Sequence, residues 1–299
     1  MLFGPKPPER EKARPTPAEA KAEMLAFLRQ MKTLTAAHLK ALLDCEKSRN
    51  TIYRYLRELT GLGLVGFHAC GRSGGIGSLE RLYFLTKKGF GRTAENDPSK
   101  VDFKNCRNPL SDFGCRHRIL LLDFWVSLLV GSRQSAKYSP KAFLPEWETF
   151  GGSRIVLRFA AFGGEDSTIR PDATFILENA LSKREALFFL EIDAGTESLI
   201  SKAYPCVTGR LERYKSAFKT LAFRRADPSF HRFAGARLLF VTSSPRRIDR
   251  LLRRVSFGED LRDAFLFSTH CEMRESGAIS GRYRKQGFEG AVGIDSKPM

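Results

Sequence analysis

Asp172, Glu191 and Asp193 are the residues of this sequence whose types and spacing could do chemistry. Pro171-Asp172 opens the apolar stretch 170–177, and Glu191-Ile192-Asp193 closes the strongly apolar stretch 186–193. Both stretches predict strands. Alternate residues of a strand share a face, so Glu191 and Asp193 point the same way. Carboxylates converging from adjacent strands repel each other unless a cation neutralises them. A hard divalent ion such as Mg²⁺ or Mn²⁺ suits such oxygen donors. In phosphodiester hydrolysis that ion activates water and offsets charge on the scissile phosphate. Asp172 and Glu191 are the candidate metal ligands on this reading. The same residues also fit a structural network, in which Asp172 caps a strand and pairs with Arg170. Glu191 and Asp193 would then pair with Lys202 or Arg213. Both readings stay open at the level of sequence.

The elements around these carboxylates have a clear rhythm. Residues 115–131 predict an apolar helix carrying His117, a lone histidine of the kind that usually serves as a structural hydrogen-bonding group. Strands are expected at 154–162, 170–177, 186–193, 236–242 and 264–268, with a glycine turn at 163–166. A long helix is expected over 197–221, with Pro205 kinking it or delaying its start. Residues 246–255 form a basic amphipathic helix. Helices alternating with buried strands imply an α/β domain, α+β for the chain as a whole, with a mixed sheet flanked by helices.

The N-terminal part reads differently. Residues 18–31 have apolar positions at helical spacing. Thr35 and Ser48 are N-cap candidates for two further helices. In the third helix, 48–59, Ile52, Leu56 and Leu59 share one face. Arg49, Asn50, Tyr53, Arg54 and Arg57 face the other way, and these are types that donate to phosphates and base edges. Strands at 64–69 and 80–85 follow, joined by the glycine-rich loop 71–77 that carries Arg72. The string TAAHLKALLDCEKSRNTIYRYLRELTGLGLV resembles the winged helix-turn-helix superfamily. That resemblance implies that the third helix enters the major groove with Arg72 near the backbone. A winged helix that docks on protein is the alternative. The expected organisation is a Pro-rich basic tail (1–18), a winged helix (19–95), a linker (96–109), an α/β domain (110–270) and a flexible basic tail (271–299).

Net charge is +17, and its distribution is informative. Residues 1–100 carry an excess of 8 basic groups and residues 201–299 an excess of 10, whereas the middle third is near neutral. Such a chain attracts polyanions in a salt-dependent way, and double-stranded DNA is the expected partner. Arg246, Arg247, Arg250, Arg253 and Arg254 lie on the basic helix, either as a second phosphate-contacting surface or as a solvated face. The 6 cysteines include no CxxC pair, so reduced thiols and no zinc site are expected. There is no P-loop or dinucleotide fingerprint, so no nucleotide cofactor is expected. No stretch has membrane-helix character and no signal peptide precedes the first helix, which predicts a cytoplasmic protein without membrane contact. The sequence leaves the oligomeric state open.

Two further resemblances narrow the function. Pro171-Asp172 with Glu191 resembles the PD-(D/E)XK nuclease pattern, except that Asp193 stands where a lysine belongs. Lys202 on the following segment would have to supply that charge. The string RPDATFIL, followed by ALFFLEIDAGTESLISKAYPCVTGRLERYKSAF, is similar to the replication-relaxation family of plasmid and mobile-element proteins. The likeness is carried by Glu191, Asp193, Gly195, Thr196, Glu197, Lys202 and Tyr214. It implies a winged helix joined to a nuclease-like core and a role in plasmid replication, mobilisation or DNA relaxation, with replication or mobilisation proteins as further partners. Three activities follow as expectations: a DNA-binding protein with a degenerate core, a Mg²⁺-dependent endonuclease or nickase using Asp172, Glu191, Asp193 and Lys202, or an assembly factor.

Overall fold

The N-terminal helices start where a hydroxyl group can accept from an otherwise orphaned amide. The computed structural model of the chain describes residues 15–43, 48–70, 80–94, 112–147, 154–160, 166–200, 206–287 and 292–294. Thr16 caps α1 (Pro17–Met31) in a reciprocal capping box with Glu19, and Thr35 caps α2 (Ala36–Leu42) in one with His38. Ser48 caps α3 (Arg49–Gly61). Each cap contributes about 1 kcal/mol. The expected turn at 44–47, glycine-rich loop at 71–77 and linker at 96–109 lie outside the described residues.

Gly63 takes a positive φ of 69° after α3, a conformation that favours glycine. The chain then enters β2 (Val65–Ala69) and returns as β3 (Arg81–Leu85). A two-residue strand, β1 (Thr33–Leu34), pairs with the other side of β3, so the sheet order is β1-β3-β2. Helix α4 (Lys87–Ala94) follows. The expected order of three helices and two strands is present. β1 is too short to leave a pattern, and α4 carries two glycines, which weaken its helical signal. Met24, Leu28 and Met31 of α1, Leu39 and Leu42 of α2, and Ile52, Leu56 and Leu59 of α3 are all buried.

The chain divides into two compact units at Val126/Ser127, within helix α5 (Asp112–Gln134). The second unit is built on a five-stranded mixed sheet of order β10-β9-β8-β7-β4. Its strands are β4 (Tyr138–Pro145), β7 (Ala173–Asn179), β8 (Glu185–Ile192), β9 (Ala236–Thr242) and β10 (Phe265–Thr269). β4, β7 and β8 run antiparallel, and β8, β9 and β10 are parallel. The sequence pattern conceals β4 because it contains Pro140 and Pro145. The strand lies at the sheet edge, where proline is tolerated, and its pairing shifts register between Pro140 and Ala142. β5 (Leu157–Ala160) and β6 (Asp166–Ile169) form a separate two-stranded ribbon.

Parallel strands need crossovers, and helices supply them. α6 (Val207–Lys219) and the short α7 (Phe223–Ala226) link β8 to β9. α8 (Pro245–Leu252) and the short α9 (Gly258–Leu261) link β9 to β10. Val207, Leu211, Tyr214 and Phe218 of α6 recur at helical spacing and share one core with Phe189, Phe240, Ile248 and Leu251. Fully burying each large apolar side chain is worth about 1.5–3 kcal/mol. The helix expected over 197–221 starts only at Val207, after the proline at 205. In the described stretch before it, Ser198 Oγ accepts from Ile200 N–H and donates to the Ile200 carbonyl instead.

The flexible tail expected over 271–299 is corrected in its described part. Thr269 and Glu272 form a capping box that starts α10 (His270–Ser276). Residues Tyr283 and Arg284 then return along the open edge of β10, where Arg284 N–H donates to the Phe267 carbonyl at 2.7 Å. Met273, Ile279, Tyr283 and Ile294 are buried. They pack as single plugs without a repeating period, which is why no pattern marks them in the sequence. No described helix is long and apolar enough to cross a membrane.

Candidate functional site

Asp172 precedes β7 directly opposite the end of β8. Its N–H donates to the Leu190 carbonyl at 3.1 Å, and its Oδ2 accepts from Ile192 N–H at 2.6 Å. Glu191 lies between these two contacts on β8, buried with only 2% of its surface exposed. Asp193 follows two residues later and is also buried. The shared face expected for Glu191 and Asp193 is the face covered by α6 and α8.

Those helices bring the cations. Arg210, in the first turn of α6, donates from Nη1 to Glu191 Oε2 at 2.8 Å. One turn later the Tyr214 hydroxyl donates to Glu191 Oε1 at 2.7 Å. Arg210 Nη2 also engages both oxygens of Glu197, at 2.8 and 2.7 Å. Near the start of α8, Arg247 donates to Asp193 through Nε and, at 3.2 Å, through Nη2. The Thr242 hydroxyl donates to Asp193 Oδ2 at 2.6 Å, and Gly195 N–H donates to Oδ1 at 2.9 Å. Gly195 has a φ of 82°, which turns the chain back over the end of β8. His270 contacts the Asp193 carbonyl oxygen through Nε2 at 3.0 Å.

Burial pushes the Glu191 carboxyl up to about 8, and the nearby charge of Asp172 adds to this, while Arg210 and Tyr214 pull the other way. Burial and then the Glu191 charge hold the Tyr214 phenol well above its ordinary range, so Tyr214 remains a donor. The donor set bears directly on a metal. Both oxygens of Glu191 are engaged, one by a guanidinium and one by a phenol. A divalent ion at the Asp172–Glu191 pair would have to displace Arg210. Among the described residues, no group of three or more His, Cys, Asp or Glu side chains is placed to hold a metal ion. Arg210 thus occupies one of the Glu191 oxygens that a metal at this pair would need.

The described partners of Glu191 and Asp193 are Arg210 and Arg247. Arg213 donates to the Thr168 carbonyl rather than to the acidic pair. Lys202 lies outside the described residues. Arg247 belongs by sequence with the DNA-contacting arginines, but Asp193 draws it inward, and its side chain is only 15% exposed. Arg246, Arg250, Arg253 and Arg254 are exposed. Arg210 does not stand out in the sequence. Its signal is its place one turn before Tyr214, which puts both polar groups at the same edge of the apolar stripe of α6.

On α3, Ile52, Leu56 and Leu59 are buried as expected. Arg49, Asn50, Arg54 and Arg57 are exposed, and Tyr53 is half-buried. Arg49 Nη2 donates to the Tyr53 hydroxyl at 3.1 Å and its guanidinium lies over the Tyr53 ring. Arg54 lies 4.0 Å from Glu58, a loose surface pair that leaves it available. Arg72 lies outside the described residues.

The family model described as replication-relaxation matches residues 25–232, more than half of the chain. The chain belongs to the replication-relaxation family. The match runs from within α1 to beyond α7 and so includes α3, Asp172, Glu191, Arg210 and Tyr214. Membership of the replication-relaxation family supports a role in the replication or relaxation of plasmids or mobile elements. No curated protein and no solved structure matches the chain.

Proposed function

We propose that this replication-relaxation protein binds duplex DNA through a winged-helix module, and that its α/β unit holds nucleic acid without cutting it. The observation that carries the reading is the two-sidedness of α3. Its apolar side is buried, and its other side presents Arg49, Asn50, Tyr53, Arg54 and Arg57. Arginine and asparagine reach both phosphates and base edges from a helix in the major groove. Arg246 and Arg250 on α8, with Arg254 just past its end, supply a further basic surface to the α/β unit. The saturated hydrogen bonding of Glu191 favours a core that does not hydrolyse.

Arg54→Ala with Arg57→Ala tests the first part. Duplex affinity should fall about tenfold or more, and the slope of log K against log salt should become shallower by about 0.9 for each phosphate no longer neutralised. Unchanged affinity at low salt would favour a winged helix that docks on a replication or mobilisation protein. Incubating supercoiled plasmid with Mg²⁺ or Mn²⁺ tests the second part. No nicking is expected. Nicking by the wild type but not by Asp172→Ala or Glu191→Ala would establish a metal-dependent endonuclease instead.

A further inference from the structure

Two guanidinium groups close on a single residue beyond the C-terminal end of β8. Arg210 reaches the carboxylate of Glu197 at 2.8 and 2.7 Å, and Arg247 reaches the main-chain oxygen of the same residue at 2.5 Å. Each arginine is held from behind. Glu191 grips Arg210 through Nη1, and Asp193 grips Arg247 through Nε and Nη2. The three carboxylates differ sharply in exposure. The side chains of Glu191 and Asp193 are 2% and 1% exposed, whereas that of Glu197 is 38% exposed.

This asymmetry gives the groups different freedom. Glu191 and Asp193 cannot release their arginines without stranding a buried charge. Glu197, the most exposed of the three carboxylates, can swing into water at a lower cost than either of the others. Its departure would leave Arg210 Nη2 without an acceptor while Glu191 still aimed it. Arg247 Nη1 already meets no acceptor among the described residues. A carboxylate on a guanidinium uses the same paired-oxygen geometry as a phosphate. Exchanging one singly charged oxyanion for another also preserves the charge balance of the cluster.

We propose that Arg210 and Arg247 form a binding site for a nucleic-acid phosphodiester, and that Glu197 holds the place of the phosphate until nucleic acid displaces it. Glu191 and Asp193 are positioning residues for these two arginines. The proposal rests on the DNA-binding reading above and adds a second, gated contact to it. The exchange is reversible, and no covalent bond forms or breaks.

The test uses the full chain and a short fluorescent duplex, with anisotropy read over a range of salt. Glu197→Ala should bind about 2- to 5-fold more tightly than wild type, the fold-change that corresponds to releasing a partly exposed ion pair. Its salt slope should steepen by about 0.9, for one more neutralised phosphate. Adding Arg210→Gln should abolish the gain. Glu259→Ala, which removes an exposed carboxylate from α9, controls for net charge and should leave affinity unchanged. Unchanged or weaker binding by Glu197→Ala, an equal gain in Glu259→Ala, or a gain that survives Arg210→Gln would overturn the proposal. Should Arg210→Gln fail to fold, inorganic phosphate replaces that arm. At matched ionic strength, phosphate should raise the thermal midpoint of Glu197→Ala more than that of wild type, and equal shifts would count against the site. The Arg54/Arg57 experiment is read separately, so the α3 reading and the Glu197 proposal can each fail alone.

Discussion

Arg210 Nη1 donates to Glu191 Oε2 at 2.8 Å, joining the first turn of α6 to a carboxylate buried at the end of β8. The remaining oxygen of Glu191 accepts from Tyr214 one turn further on. A buried carboxylate is costly unless it is paired and hydrogen-bonded, and this one is both. The contact therefore seats α6 on the sheet as well as aiming Arg210.

Glu191 should make stability depend on pH. Burial and the nearby Asp172 charge push the Glu191 carboxyl up from its ordinary value of 4.5, against the pull of Arg210 and Tyr214. The stabilisation linked to this raised value is complete below pH 4.5 and is lost as pH rises through about 8. Glu191→Gln removes the titrating group. Subtracting its profile of thermal midpoint against pH from that of wild type should leave a decline across this window. A flat difference profile would refute the assignment.

Tyr214→Phe removes the phenol that satisfies Glu191 Oε1. The ring still fills its place in the core, so the loss isolates the hydrogen bond. A cost of about 1–3 kcal/mol is expected from urea unfolding, the penalty for leaving a buried acceptor unmet. Because Tyr214 is fully buried, the same variant should retain its duplex affinity once its folding is confirmed.

The N-terminal unit has its own buried polar contact. His38 Nδ1 accepts from Thr35 N–H at 3.2 Å, which leaves Nε2 as the donor to Asp123 Oδ1 at 2.8 Å. This ring both completes the cap of α2 and ties α2 to α5. His38→Ala removes both links and leaves a void, so about 2–4 kcal/mol should be lost in urea unfolding. A loss no larger than that of an exposed substitution such as Lys40→Ala would contradict this role.

Gly89 is a packing requirement rather than a matter of backbone freedom. A Cβ built there would lie 2.0 Å from the Leu64 carbonyl oxygen, where α4 crosses the entry to β2. Gly89→Ala must move backbone, at a cost of about 1–3 kcal/mol. Gly91→Ala on the same helix meets nothing within 4 Å. It should be neutral or slightly stabilising in parallel thermal melts.

Much of the architecture is legible in the sequence because it rests on local periodicity. The apolar positions of α3 and the alternation through β8 leave patterns within one element, and the caps at Thr35 and Ser48 depend on neighbours three residues away. β4 is not legible, because its two prolines signal a break unless the strand is known to lie at an edge. The described C-terminal segment is hidden for a related reason. Tyr283 and Ile294 are buried by what they meet across β10 and β9, not by any rhythm of their own.

The sequence by itself determined that Glu191 and Asp193 share a face, since strand alternation allows nothing else. It also determined that α3 has a basic polar side opposite an apolar one. Only the tertiary structure decided which cations meet those carboxylates. Arg210 and Arg247 lie 19 and 54 residues away from the carboxylates they bind, and their arrival depends on how α6 and α8 seat across parallel strands. That seating is fixed by the packing of Tyr214, Phe218, Ile248 and Leu251 into one core, a many-body fit that no local spacing encodes. It set Arg210 on Glu191 and Arg247 on Asp193.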